Sequence, residues 1–294
     1  MLEPLRLSPV RHPLAPPRCD NAAADIGRLA IRSLYREVAL SIKPGLVGPF
    51  GTGSHDDMNY QTFVCSLHSL RGYFPAIAAA GAGQPGLEPL KSLGIEAERT
   101  MLAATGGINT HRGAIFNLGL LCAAAGWLMA ASRPVTPAAA CALVVSQWGA
   151  DVLGGVAPSG SLSHGQWVAR RYGSGGARQE AATGFPAAIE VGLPAYRRAM
   201  QITGDGEAAA TEALFALIAA LEDTNLLWRG GRAGLEWAQM TAACFLAAGG
   251  VANPDWRRLA ADIDRQFIAR RLSPGGSADL LGVTLFLADL GQLG

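Results

Sequence analysis

Residues 105–131 read TGGINTHRGAIFNLGLLCAAAGWLMAA. From Gly113 to Ala131 this stretch carries 19 residues without a charge, enough by length alone to cross a membrane. Alanine and glycine dominate it, Asn117 interrupts it, and no second segment of the same kind follows. That composition predicts the buried central helix of a helical protein. Just ahead stand Gly106, Gly107, Asn109, Thr110, His111 and Arg112. Such a loop can hold an anion, because glycines let backbone N–H groups approach closely and the helix start adds unpaired amides and a positive dipole end. The same residues would also serve as an ordinary polar cap on a core helix.

The pattern on either side is helical. Behind Asp20, a fitting N-cap, Ile26, Leu29, Leu34 and Val38 recur at helical spacing until Pro44 and Gly45. Tyr60, Phe63, Val64, Leu67, Leu70 and Phe74 predict a helix from Asn59 to near Gly81. Further helices are predicted over 89–104, 113–131 and 137–153, the last with Thr136 as cap and Pro137 in its first turn. After a polar loop over 154–178 they resume at 185–200, 207–221, 233–248, 254–271 behind Asn253, and 278–290. β-branched residues are sparse, and the run 143–145 falls inside a helical pattern. No repeat of fixed period and no long polar linker divides the chain. The prediction is an all-α fold: a loose proline-rich arm at 1–19, then a single compact multi-helix domain at 20–294 whose glycine-rich helix junctions form the active site.

Composition narrows the function. With 294 residues, half of them hydrophobic, the chain can bury a large core. A formal net charge of +1 provides no field to attract nucleic acid or an anionic membrane, so phosphate recognition must be local. Neither partner is expected. The five cysteines, Cys19, Cys65, Cys122, Cys141 and Cys244, show no CxxC spacing. They read as reduced thiols, and residues 1–19 lack an apolar leader, so a cytoplasmic location is expected.

Four more junctions share the character of the opening loop. Residues 37–58, EVALSIKPGLVGPFGTGSHDDM, combine Lys43, four glycines, Ser54, His55 and the pair Asp56 and Asp57. They contain no GxxxxGK[ST], and the chain has no strand–glycine–helix unit, which excludes a P-loop and a dinucleotide fold. Two carboxylates beside an imidazole suit Mg²⁺ binding or general-base work, or an acidic cap for the helix at Asn59. Residues 172–186 read YGSGGARQEAATGFP, with Arg178 and Glu180 after the glycines. Residues 223–231 read DTNLLWRGG, and residues 273–281 read SPGGSADLL, a glycine pair opening a helix. Helix bundles need only short turns, so repeated glycine-plus-polar junctions point to a shared site for an anionic ligand. There is no HExxH, EF-hand, GxSxG or zinc spacing. His12 lies in the arm and His68 in a helix, His164 is ambiguous, and His55 and His111 lie in the motif loops.

Taken in order, EVALSIKPGLVGPFGTGSHDDMNYQTF, TGGINTHRGAIFNLGLL, YGSGGARQEAATGFP, DTNLLWRGG and SPGGSADLL resemble the motifs of the triphosphoribosyl-dephospho-CoA synthases. The resemblance runs from about Ile26 to the C-terminus. GSHDDMN with SHGQWVARRYG is more similar to the malonate decarboxylase branch than to the citrate lyase branch. Ser41-Ile42 and His164 depart from the usual pattern. The resemblance implies that ATP and 3′-dephospho-CoA give 2′-(5″-triphosphoribosyl)-3′-dephospho-CoA and adenine, as a prosthetic-group precursor for the decarboxylase's acyl-carrier subunit. It also implies a further transferase partner that loads the carrier. The glycosidic bond breaks while the triphosphate stays whole, so the protein must grip phosphates and stabilise charge on the ribose. One displacement with inversion suffices, with one group deprotonating the 2′-hydroxyl and another assisting adenine.

On this reading Asp57 is the base or a metal ligand, oriented by His55, and Glu180 is a further catalytic candidate. Glu37 and Asp223 join Asp57 as Mg²⁺ candidates. Lys43, Ser54, Asn109, Thr110, His111, Arg112, Arg178 and Arg229 would hold nucleotide, and Gly275, Gly276 and Ser277 would open a further phosphate site. Two rivals use the same loops: a Mg²⁺-dependent hydrolase of N-glycosidic or ADP-ribosyl bonds, and a non-enzymatic assembly factor for the carrier subunit.

Overall fold

The computed structural model describes residues 18–155 and 164–292. In chain order the helices are α1 (Arg18–Val38), α2 (Tyr60–Ser69), α3 (Tyr73–Ala82), α4 (Leu87–Ala104), α5 (Arg112–Ala130), α6 (Pro137–Gly154), α7 (His164–Tyr172), α8 (Gly176–Ala182), α9 (Leu193–Thr203), α10 (Gly206–Ala220), α11 (Thr224–Ala247), α12 (Trp256–Ala269) and α13 (Gly275–Leu290). A π-helical turn, Ala187–Gly192, runs into α9, and a 3₁₀ turn, Gly250–Ala252, precedes α12. Among the described residues the only β-type pairing is the bridge between Gly48 and Gly51. The fold is all-α and forms one compact domain.

The apolar run from Gly113 onward is the core helix. α5 packs against α1, α3, α4, α6, α8 and α13, with Ile115, Leu118, Leu121, Cys122 and Leu128 buried. Its small residues are needed because backbones touch there. A Cβ on Gly126 would collide with the carbonyl of Ala78, and one on Gly81 with that of Ala123, so α3 and α5 cross at the closest range glycine allows. α10 is the second central helix, apolar on every face from Ala208 to Ile218 apart from Thr211 and Glu212, and it packs on α9, α11 and α13.

Several boundaries differ from the periodicity. α1 starts at Arg18, so Asp20 lies inside its first turn; the rest of the expected arm, residues 1–17, lies outside the described residues. The helix predicted over 59–81 is two helices, α2 and α3, broken at Leu70–Gly72. Pro75 has no N–H and its ring would strike the carbonyl of residue 71, which disfavours a continuous helix by about 3 kcal/mol although the apolar stripe runs on. The polar loop over 154–178 contains α7 and the start of α8, while its residues 156–163 lie outside the described residues. Asn253 does not cap α12. It holds the preceding turn instead, donating to Ala248 O and accepting from Asp255 N. The junction 223–231 is itself helical: it forms the first part of α11, which kinks at Gly231 (φ 62°, ψ −163°) before continuing.

Candidate active site

Two adjoining clusters gather the loops. The outer one ties residues 45–57 to α11 and the α12–α13 link. Ser54 Oγ donates to Leu272 O at 2.6 Å, and the Gly45 N–H donates to Asp264 Oδ1 at 2.8 Å. Arg229, on the first part of α11, donates to Ser54 O (2.9 Å) and Arg271 O (3.2 Å), and its other nitrogen lies 3.2 Å from His55 Nδ1. His55 Nε2 is 2.9 Å from Ser273 Oγ. A guanidinium can only donate, so Nδ1 is the acceptor and Nε2 carries the proton. Burial and then Arg229 lower the His55 pKa, outweighing Asp57 and Asp56, which keeps the ring neutral. His55 therefore faces Arg229 and Ser273, with Asp57 Oδ1 3.7 Å from Nδ1, beyond hydrogen-bond range. The Asp57 side chain is 64% exposed, and Asp56 is exposed as well. Neither caps α2: Asn59 does so, in a capping box with Thr62.

The inner cluster lies where α1, α5, α11 and α13 meet. Lys43 Nζ pairs with Glu37 Oε1 at 2.8 Å, both buried. Asp223, wholly buried, caps two helices at once: Oδ1 accepts from Asn225 N (2.8 Å) and Leu226 N (3.3 Å), and Oδ2 accepts from Ser277 N (2.7 Å) and Ser277 Oγ (2.9 Å). Gly275 and Gly276 are required for this approach, since a Cβ on Gly275 would strike Asn225 and one on Gly276 would crowd Asp223. The Asp279 carboxylate occupies the space a side chain on Gly113 would fill, at the start of α5, and accepts a hydrogen bond from Ala114 N–H. Burial, then Glu37 and Asp223, push the Asp279 pKa well up. Burial also raises that of Asp223, against four hydrogen bonds that oppose the shift.

These contacts revise the expected phosphate cradles. Gly106 and Gly107 take positive φ (66° and 90°), and Gly107 N donates to Leu102 O at 2.7 Å, which ends α4 in a Schellman turn. The N-termini of α5 and α13 are met by Asp279 and Asp223, anions of the chain itself. His111 is 2% exposed, bonds Ser66 Oγ through Nδ1 at 2.7 Å, and has its pKa pushed down to about 3 by burial and by Lys43, so it is a neutral ring. Asn109 Oδ1 accepts from Arg112 N, and Arg112 pairs with Glu98 on the surface at 2.9 Å. Arg178 donates to Gly155 O at 3.1 Å, whereas Glu180 accepts from Ala187 N at 2.7 Å and closes the π turn, so the two do not pair with each other. Burial raises the Glu180 pKa. His164 stacks on Trp228, with ring centroids 4.2 Å apart.

The residues brought together are thus Ser54, His55, Asp57 and Arg229 outside, and Glu37, Lys43, His111, Asp223 and Ser277 inside. Asn109, Arg112, Arg178 and Glu180 are engaged elsewhere. Sequence reasoning missed Ser66, Asp264, Ser273 and Asp279. Asp279 was open to detection: one carboxylate followed by Leu280, Leu281 and Val283 on a buried helix is a charge that needs a reason.

A buried, helix-anchored polar centre thus lies beside a cluster in which His55 is largely buried and Asp57 and Arg229 are exposed. The class of protein, a transferase, comes from comparison with known proteins. Residues 23–294 match the family described as ATP:dephospho-CoA triphosphoribosyl transferase. The chain is 42% identical over 259 residues to a protein of Acinetobacter calcoaceticus named "Probable 2-(5″-triphosphoribosyl)-3′-dephosphocoenzyme-A synthase", covering 88% of each protein. It is 40% identical to one of Citrobacter koseri, covering 90% of each. It is 38% identical to one of Vibrio cholerae, covering 91% of this chain and 88% of that protein. No solved structure matches. The chain belongs to the ATP:dephospho-CoA triphosphoribosyl transferase family, whose substrates are ATP and dephospho-CoA.

Proposed function

We propose that this transferase moves the intact 5-triphosphoribosyl group of ATP to the 2′-hydroxyl of 3′-dephospho-CoA with release of adenine, supplying the prosthetic-group precursor of a malonate decarboxylase carrier subunit. The observation that carries the chemistry is the outer cluster, where Arg229, neutral His55 and exposed Asp57 stand together at the meeting of three motif segments. Asp57 is the free carboxylate there and takes the 2′-hydroxyl proton, while Arg229 attracts the triphosphate. The branch assignment is supported by GSHDDMN and SHGQWVARRYG, of which Ser163 lies outside the described residues. Loading of the product onto the carrier belongs to a separate transferase, and we place both in the cytoplasm.

Mg²⁺ accompanies the ATP in this reading. Among the described residues no three His, Cys, Asp or Glu side chains come together as a metal cage. Glu37 is bound to Lys43, and Asp223 holds two helices, so neither fits as a ligand. Mg²⁺ on a nucleotide needs only one or two carboxylates beside the phosphates, and exposed Asp56 meets that demand. The ion would supply charge neutralisation to the triphosphate. The test is incubation with ATP, Mg²⁺ and dephospho-CoA, followed by mass detection of adenine and the triphosphoribosyl adduct. Absence of both sinks the proposal, and adenine without an acceptor turns it into a hydrolase. Asp57→Asn should lower the rate about 10²-fold or more, and a wild-type rate would remove Asp57 as base.

A further inference from the structure

The buried side-chain atoms without a hydrogen-bond partner among the described residues are Thr110 Oγ1, His111 Nε2 and Asn117 Oδ1. All belong to the loop and first turns of α5. Gly113 and Asn117, four residues apart in α5, share one face, Thr110 lies in the loop just before that helix, and Gly113 is where the Asp279 carboxylate rests. His111 and Asn117 are each 2% exposed, and Asp279 is partly buried as a residue. Native proteins leave few such atoms unpaired, and each calls for a polar partner. The charged groups facing that carboxyl are Glu37 and Asp223, both negative. The cation nearby, Lys43, is spent on Glu37. In this setting Asp279 retains a proton more tightly than an ordinary aspartate.

We propose that Asp279 is the acid of the pentosyl transfer, giving its proton to the departing adenine, whose polar edge is met by Thr110, His111 and Asn117. This rests on the adenine-releasing reaction proposed above. As the C1′–N9 bond breaks, its electron pair leaves with adenine and a purine nitrogen takes the Asp279 proton. The 2′-oxygen of dephospho-CoA forms the new bond to C1′ and gives its proton to Asp57. Asp279 is left ionised and Asp57 protonated, and both reset through solvent with no net proton change. A hydrogen-bond acceptor such as Asn117 Oδ1 suits the exocyclic amine of adenine.

The test is Asp279→Asn in the full chain, assayed on ATP and on a ribosyl triphosphate carrying 4-nitrophenolate in place of adenine. Expected with ATP is a fall in kcat of about 10²-fold or more with KM changed less than about twofold. With the aryl substrate, whose leaving group needs no proton, the variant should approach the wild type. Wild-type kcat/KM for ATP should decline as pH rises and Asp279 ionises, a limb on the alkaline side of the profile that the variant should lose. Unchanged kcat on ATP, equal losses on both substrates, or a wild type without an alkaline limb overturns the assignment. If Asp279→Asn does not fold by circular dichroism, the alkaline limb of the wild type decides, and Asp279→Glu, which keeps an acid at that place, should retain the limb. If the wild type does not turn over the aryl compound, the alkaline limb decides. A wild type that releases no adenine at all refutes the proposed reaction rather than the role of Asp279 within it.

Discussion

Asp223→Ala separates a helix-holding role for this residue from a metal-binding one. The substitution deletes the acceptor for Asn225 N, Leu226 N, Ser277 N and Ser277 Oγ, at 2.7 to 3.3 Å, in a place with no solvent to replace it. Loss of an N-cap costs about 0.5–2 kcal/mol, and two helix starts lose theirs together. A buried hydroxyl left without its acceptor adds about 1–3 kcal/mol. Against these, the variant no longer buries the charge whose desolvation raises the Asp223 pKa. The balance is a destabilisation of about 3 kcal/mol, which in a chain of this size lowers Tm by roughly 5 °C. Asp223→Asn keeps one carbonyl oxygen and so can serve one helix start, and it should fall between wild type and Asp223→Ala. Thermal melts by far-UV circular dichroism, with urea titrations beside them, measure both. A Tm within about 2 °C of wild type together with lost, Mg²⁺-sensitive activity would refute the double cap and restore Asp223 as a metal ligand.

The remaining predictions concern His111 and Arg112. His111 titrates near 3 in the fold against 6.5 when free, so the unfolded chain binds the extra proton between those values. Its stabilising contribution is complete above pH 6.5 and is lost as pH falls, by about 1.4 kcal/mol per unit. Unfolding free energies from urea titrations at pH 6.5 and 5 should therefore differ in the wild type by about 2 kcal/mol more than in His111→Gln, and equal pH dependence would show that the ring is not buried neutral. Arg112→Ala breaks only a surface pair with Glu98, in which the two side chains are 43% and 33% exposed. It should cost less than about 1 kcal/mol and leave KM for ATP within about twofold, since the guanidinium is held at the surface by Glu98. A large rise in that KM would instead place Arg112 on the triphosphate.

Helix content was legible because the signals are local. Thr136 caps α6 by accepting from Ala139 N at 3.1 Å, as the Thr-Pro pair indicates, and the α4 and α10 boundaries fall within two residues of their patterns. Pro75 was legible too, yet the continuous apolar stripe from Tyr60 to Phe74 outweighed it, although a missing N–H breaks a helix whatever its side chains bury. Arg229 and His55 were both named from their loops, but their mutual contact spans 174 positions and no spacing rule reports it.

By itself the sequence determined the helices, the absence of sheet, the family and the segments that carry its motifs, because caps, prolines and apolar periodicity act over a few residues. Only the tertiary structure decided what each polar motif residue faces. Gly106, Gly107, Gly275 and Gly276 read as phosphate loops, but two end a helix and two let a neighbouring helix approach. Asp223 and Asp279, from α11 and α13, stand at the helix starts where phosphate was expected. A helix N-terminus attracts any anion, and which one arrives depends on the elements packed around it, which are distant in the chain.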